Sequence, residues 1–186
     1  ACAIAIADRI DTLVGILGIK QVPTGDKDPF ALRRAALAII RICLEKKLSL
    51  NLADLIKKSV SLYKDLPNKD VCNATLQFIM DRLRFWLIEQ NIPAEVVDSV
   101  AATVPKDIVD FHRRIKAVVA FQKLPEAESL AAANKRVNNI LKKQNHLEIP
   151  KRVNEKLLEH DAEQKLYKKL DEKSTVVSEL ILSGNY

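Results

Sequence analysis

Apolar residues recur along this chain every three or four positions, the spacing of a helix with one apolar face. No stretch alternates apolar and polar residues as a half-buried strand does. Proline and glycine separate the periodic segments. The pattern predicts an all-α fold of one or more multi-helix bundles, with about eight helices and no significant sheet. We expect helices at 2–17, 29–46, 52–63, 70–90, 93–103, 105–121, 130–143 and 161–182, with a weaker amphipathic region at 151–158.

Two of these segments have the pattern of interior helices. Residues 29–46 are apolar almost all round, so we expect this helix in the middle of a bundle. Asp28 followed by Pro29 predicts the start of that helix, with the carboxylate as its cap. Residues 70–90 carry two apolar stripes, one through Leu83 and one through Phe85, which predicts a helix covered on two sides.

The segment 130–143 divides into an apolar side and a basic side at about 100° per residue. The apolar side consists of Leu130, Ala133, Val137, Ile140 and Leu141. The opposite side gathers Lys135, Asn138, Asn139 and Lys142, with Arg136 and Lys143 beside them. Cations and amides on one face suit a nucleic acid, because they contact phosphates and bases together. The alternative is a solvated helix face that binds nothing.

Composition narrows the class of protein. With 186 residues and 48% hydrophobic content the chain can build a core, and its net charge of +6 suggests an acidic partner. No apolar run approaches the ~20 residues of a membrane span, and no secretory signal is visible. Three scattered cysteines among apolar neighbours indicate buried thiols in a reducing, cytoplasmic setting. Since the first residue is not methionine and already reads as mid-helix, we expect a piece of a longer chain.

Motifs of common catalytic sites are absent from the sequence, including a glycine-rich phosphate loop, paired Cys-x-x-Cys and a nucleophile elbow. His160-Asp161 matches an HD metal dipeptide, which alone is a weak signal. The segment 7–13 resembles the closing helix of HD-type phosphohydrolases, where the first Asp, here Asp8, can ligate metal. One carboxylate does not hold a divalent cation, so we expect no metal site. The alternative role for Asp8 is an ion pair with Arg9.

Several segments together resemble the bacterial glycyl-tRNA synthetase beta subunit family. They occur in the expected order over nearly the whole chain and comprise 7–16 (ADRIDTLVGI), 23–36 (PTGDKDPFALRRAA), 114–118 (RIKAV), 124–127 (LPEA) and 130–141 (LAAANKRVNNIL). Within the last of them, residues 133–137 resemble the first helix of a DALR-type anticodon-binding domain. The chain departs from the family pattern at Lys20, where the resemblance leads us to expect a second glycine.

This resemblance implies a division of the chain into three parts. Residues 1–66 would form the C-terminal part of an HD-like helical domain, 67–124 a helical connector, and 125–186 the start of a truncated anticodon-binding domain. In the family, the holoenzyme joins glycine to its tRNA using ATP with Mg²⁺, and a separate alpha subunit carries the class II catalytic core of a heterotetramer. We therefore expect tRNA binding and subunit assembly from this chain, with no catalytic residue and no cofactor of its own.

The residues expected to contact tRNA lie on the basic side of the segment 130–143 and are Lys135, Arg136, Asn139, Lys142 and Lys143. Arg34 and Arg41 are weaker candidates for a contact with tRNA or a partner, since exposed arginines often serve only solvation. Two alternatives remain open. The chain is a helical scaffold for the alpha subunit without direct RNA contact, or it is the remnant of an HD phosphohydrolase in which Asp8 was a ligand.

Overall fold

A computed structural model describes residues 1–103, 105, 107–143 and 153–186. Its helices are α1 (Cys2–Gly18), α2 (Leu32–Glu45), α3 (Leu52–Val60), α4 (Val71–Glu89), α5 (Ala94–Ala101), α6 (Ile108–Phe121), α7 (Glu126–Lys143) and α8 (Asp161–Ser183), with a short 3-10 helix at Glu155–Leu157. Within the described ranges there is no strand, and one isolated antiparallel bridge joins Thr24 to Lys27. The predicted all-α fold and its eight helices are confirmed.

The chain forms two compact units, Ala1–Val119 and Ala120–Tyr186. These two units do not test the division into three functional parts that the family resemblance implies, and that division stays a prediction. The first two residues of the weaker amphipathic region predicted at 151–158 lie outside the described residues. No helix in the described part of the chain is both long enough and apolar enough to cross a membrane.

The first unit is a helical bundle with a continuous apolar core. Helix α1 packs against α2, α3 and α4, while α4 also contacts α2, α3 and α5. Several core side chains are fully enclosed, among them Leu13, Ile40, Ile79 and Phe111. Enclosure of this kind removes apolar surface from water and is the main source of stability in such a bundle.

Helix α2 lies in the core, as its nearly uniform apolar sequence predicts, but it begins three residues later than expected. Pro29 lies in a turn, and the first helical residue is Leu32. The Asp28 carboxylate still caps the helix: it accepts hydrogen bonds from the backbone N–H of Leu32 at 2.8 Å and of Arg33 at 3.0 Å. The prediction that the Asp28 carboxylate accepts hydrogen bonds from the helix start was therefore correct, but the residue at the N-cap position is Ala31 and the predicted boundary was wrong.

Helix α4 has one buried row of side chains, formed by Val71, Thr75, Ile79, Leu83 and Leu87. The second predicted stripe is incompletely covered, because Phe85 is 55% exposed. The prediction of coverage on two sides is therefore wrong at that position. Of the three cysteines, Cys43 is buried and the other two are half-buried, and all are free thiols. Burial and then the nearby Asp107 carboxylate raise the pKa of the Cys43 thiol.

The second unit contrasts with the first, because neither α7 nor α8 contains a buried residue. Helix α8 begins at Asp161, where the backbone N–H of His160 donates to the Glu163 carboxylate at 3.1 Å. It ends at Gly184, whose φ of 69° gives the left-handed conformation common after helices.

Candidate nucleic-acid interface

The basic face of α7 contains a shallow concavity of about 390 Å³. It is lined by Ala132, Lys135, Arg136, Asn139, Ile140 and Lys143. Four of the five residues predicted to contact tRNA are among them, brought together because they are three or four positions apart on one helix. The small side chain of Ala132 leaves room between the longer ones, so the concavity belongs to a single helix face.

The fifth predicted residue, Lys142, does not line this concavity. It is seven residues from Lys135, which places the two on nearly the same side of the helix, about 20° apart. With a rise of ~1.5 Å per residue, their Cα atoms are separated by roughly 10.5 Å along the axis. Both side chains are exposed. Lys142 therefore extends the basic face toward the end of the helix.

The charges of α7 are separated along its length. Its acidic residues Glu126 and Glu128 lie in the first turn, while Lys142 and Lys143 lie in the last turn. No ion pair within the described residues occupies the lysines and the arginine of this face. This arrangement complements the helix dipole and leaves the cationic end available to an anionic ligand.

The apolar side of α7 follows the predicted pattern but is open to solvent. Leu130 is 58% exposed and Val137 is 52% exposed. The sequence pattern correctly predicts which residues share this side. It does not predict what covers them.

The two arginines proposed as weaker candidates belong to the first unit. Arg34 and Arg41 are exposed on α2, on the side away from the buried Ala36, Ile39 and Ile40. Seven residues separate them, so they too lie on one face. The structure describes this face and the basic face of α7 as parts of two different units.

Asp8, the candidate remnant of a metal site, is exposed and lies 3.7 Å from the guanidinium of Arg9. Among the described residues there is no group of three or more His, Cys, Asp or Glu side chains arranged to hold a metal ion. The neighbouring Asp11 instead has a structural role, because its carboxylate accepts a hydrogen bond from the Tyr63 hydroxyl at 3.0 Å. Burial and this hydrogen bond raise the pKa of Tyr63.

Two surface features were not predicted from the sequence. An apolar groove of about 460 Å³ lies between α1 and α3, with Ile6, Ile10 and Leu55 among its lining residues. The loop between α1 and α2 exposes several apolar side chains, including Val22 and Phe30. The signal for the loop was present in its sequence as apolar residues between proline and glycine, which we interpreted only as a break in regular structure.

A helical bundle followed by a second unit with a basic helix face defines a class of all-helical proteins that present a cationic surface. Comparison with known families makes the assignment specific. The model of the family described as glycyl-tRNA synthetase beta subunit matches residues 1–102. The chain belongs to that family, as its sequence segments predicted.

Curated relatives support the same family over the entire chain. A glycine–tRNA ligase beta subunit from Coxiella burnetii is 52% identical over 187 residues, which cover 100% of this chain and 27% of that protein. The corresponding proteins of Pseudoalteromonas translucida and Hahella chejuensis are 49% and 45% identical, again over 100% of this chain and 27% of their own length. The chain therefore spans about a quarter of the length of the curated relatives it matches.

Proposed function

We propose that this chain is a non-catalytic part of glycine–tRNA ligase that contributes tRNA binding and subunit assembly. Its partners would be glycine tRNA and the ligase alpha subunit. The aminoacylation itself, which uses ATP with Mg²⁺, would take place on the alpha subunit. Family membership and the names of the relatives support this assignment.

The observation that carries the tRNA-binding part is the basic face of α7. Lys135, Arg136, Asn139 and Lys143 line one concavity, and Lys142 extends it. The cations would neutralise phosphates, which provides most of the affinity of a protein for nucleic acid. The Asn139 amide would donate to and accept from a base edge or a ribose 2′-hydroxyl, and contact with the 2′-hydroxyl distinguishes RNA from DNA.

The test is the replacement of Lys135 and Lys142 by alanine in the full enzyme, with tRNA affinity measured at several salt concentrations. Each lost phosphate contact lowers the slope of log K against log salt by about 0.7–0.9. The double variant should therefore bind more weakly and with a slope smaller by roughly 1.4–1.8. A matched control replaces Lys57 and Lys58, two exposed lysines of α3, and should leave the slope almost unchanged.

Unchanged affinity and slope in the Lys135 and Lys142 variant would exclude these residues as tRNA contacts. Hydroxyl-radical footprinting of glycine tRNA on the same enzymes locates the contact. Protection in the anticodon arm that is lost only in this variant would support α7 as part of an anticodon-binding domain. Loss of protection elsewhere on the tRNA would keep the RNA contact and reject the anticodon assignment.

A further inference from the structure

The loop that joins α1 to α2, residues 19–31, is closed at its tip by its own hydrogen bonds. The backbone N–H of Thr24 donates to the carbonyl of Lys27 at 3.2 Å, and the N–H of Lys27 donates to the carbonyl of Thr24 at 3.0 Å. The Arg33 guanidinium donates to the carbonyl of Gly25 at 2.5 Å. The tip is thereby attached to the first turn of the following helix.

The base of the loop is held equally well. The Asp28 carboxylate accepts the two N–H groups of α2 described above, which satisfies donors that a helix start otherwise leaves free. At the other end, the N–H of Gln21 donates to the carbonyl of Ile16 in α1 at 3.1 Å. The shape of the loop is therefore set before any partner binds.

Two loop residues adopt a backbone conformation that is unfavourable for them. Lys20 has a φ of 62° and Ala31 a φ of 55°, both in the left-handed region. That region is less favourable than the right-handed one for an L-residue with a Cβ. At Lys20 it is a common ending of a helix, found also at Lys47 after α2 and at Asn91 after α4, and it fixes the direction in which the loop leaves α1.

This preformed loop exposes three large apolar side chains. Ile19 is 49% exposed, Val22 is 59% exposed and Phe30 is 46% exposed. Several exposed apolar residues on one loop that is held by its own hydrogen bonds are typical of a binding surface. Two of the three are aliphatic, and base recognition in single-stranded RNA relies on aromatic stacking and cations. The side chains therefore suit a protein surface better than RNA.

The charges around these side chains define the complementary surface. Lys20, Lys27 and Arg34 are exposed, whereas Asp26 is the one exposed carboxylate among the described charges of the loop and Asp28 is engaged with α2. The border of the loop is therefore basic. A complementary surface has an apolar recess bordered by carboxylates.

We propose that the loop at residues 19–31 is a docking element that inserts Val22 and Phe30 into an apolar recess with an acidic border on the ligase alpha subunit. This inference rests on the assembly role proposed above and names the surface that carries it. The loop is preorganised, so binding requires little further ordering. Its apolar side chains supply the affinity, and its basic border supplies orientation.

The test uses full-length beta and alpha subunits and measures their affinity by analytical ultracentrifugation. Replacing Val22 and Phe30 together by serine should weaken assembly by about tenfold or more, since central apolar anchors dominate interfaces. The matched control is Phe85→Ser on α4, where the phenylalanine is 55% exposed; it should change the affinity less than about twofold. An equal loss in the control variant, or no loss in the double variant, would overturn the proposal.

A second measurement distinguishes the possible occupants of the loop without removing its apolar residues. In a Val22→Cys variant the thiol should react rapidly with a maleimide in the beta subunit alone and slowly once the alpha subunit is added. Slow reaction in the beta subunit alone would show that its own remaining chain covers the loop. Protection by tRNA and not by the alpha subunit would make the loop an RNA contact. Either result overturns the docking proposal.

The same experiments separate this inference from the assembly role on which it rests. If the unmodified beta subunit fails to bind the alpha subunit, the assembly role itself is wrong. If the unmodified subunits bind and Val22→Cys remains equally reactive in the complex, assembly stands and the loop is not its surface.

Discussion

Replacing Thr75 by valine should stabilise the protein, although Thr75 lies at the centre of the core. The side chain is 0% exposed in the buried row of α4, between Val71 and Ile79. Its hydroxyl oxygen has no hydrogen-bond partner among the described residues. A threonine in a helix usually donates to the carbonyl one turn earlier, so this hydroxyl is buried without its common compensation.

The size of the effect follows from the group removed. A buried hydroxyl without a partner costs about 1–3 kcal/mol. Valine replaces the hydroxyl with a methyl group of similar size, and threonine and valine have similar helix propensities. We therefore expect the free energy of unfolding to rise by about 1–3 kcal/mol, which at an m-value of ~2 kcal/mol/M moves the urea midpoint upward by roughly 0.5–1.5 M.

Trp86 provides the assay, because it is the single tryptophan of the chain and packs partly buried against the core. Urea unfolding followed by its fluorescence reports on the first unit. The control is Thr12→Val in α1, since the Thr12 hydroxyl donates to the carbonyl of Asp8 at 2.9 Å and has its hydrogen bond already. That variant should be neutral or slightly destabilised. A lower midpoint for Thr75→Val would refute the reasoning and indicate that the hydroxyl is hydrogen-bonded.

Substitutions at three further positions probe other contacts of the first unit by the same assay. Gly18→Ala should lower the free energy of unfolding by about 1 kcal/mol, because an added Cβ would lie 2.8 Å from Leu66 Cδ2 and the resulting strain exceeds the gain in helix propensity. An unchanged urea midpoint would show that the Leu66 side chain moves aside freely. Asp28→Ala should cost about 1–2 kcal/mol through the lost cap, with partial recovery in Asp28→Asn as its check. Burial and then the positive charge of Lys116 lower the pKa of His112 below 6.5. The unfolded chain therefore binds a proton more readily than the folded one, and the free energy of unfolding should fall as the pH drops below 6.5. His112→Gln should weaken that pH dependence, and an identical pH profile in the variant would contradict the argument.

The helices of the first unit were predictable because their apolar spacing is set by the core that they form. The row that contains Ile79 and Leu83 could be identified directly from its three- and four-residue intervals. The first residue of a helix was less predictable, because several neighbouring positions can serve as the helix start. At Asp28 the sequence favoured a helix from Pro29, but the structure uses the carboxylate to cap a helix that begins at Leu32.

The loop between α1 and α2 shows what a one-dimensional pattern misses. The resemblance to the family led us to expect glycine at position 20, and Lys20 indeed has the left-handed φ that glycine adopts most easily. The identity of the residue gave no indication of this conformation. Nor did the sequence predict that the Arg33 guanidinium would donate a hydrogen bond to the carbonyl of Gly25, since this contact depends on how the loop folds back.

The candidate tRNA-binding face was predictable because all of its residues belong to a single helix, and their placement does not depend on how a loop folds back. Lys135, Arg136, Asn139 and Lys143 converge through helical geometry alone. Whether they contact RNA stays a prediction, since an unpaired basic face and a solvated one look alike in an isolated helix.

The exposure of α7 on all sides also changes how its lysine variants should be interpreted. Because α7 has no buried residues, its stability depends on local interactions. Its 18 residues only modestly exceed the ~12–15 below which isolated helices are marginal in water. Lys142 in its last turn is favourable to the helix dipole. Its replacement by alanine therefore removes a possible phosphate contact and one source of helix stability together.

Lys142→Arg separates the two effects, because arginine keeps the positive charge and has a comparable helix propensity. If Lys142 acts through its charge on phosphate, the arginine variant should retain the salt dependence of tRNA binding, while Lys142→Gln should reduce its slope by about 0.7–0.9. Far-UV circular dichroism of the same proteins measures whether helicity changed. A glutamine variant that loses helicity and affinity but keeps the slope would show that Lys142 supports the helix and does not contact the phosphates.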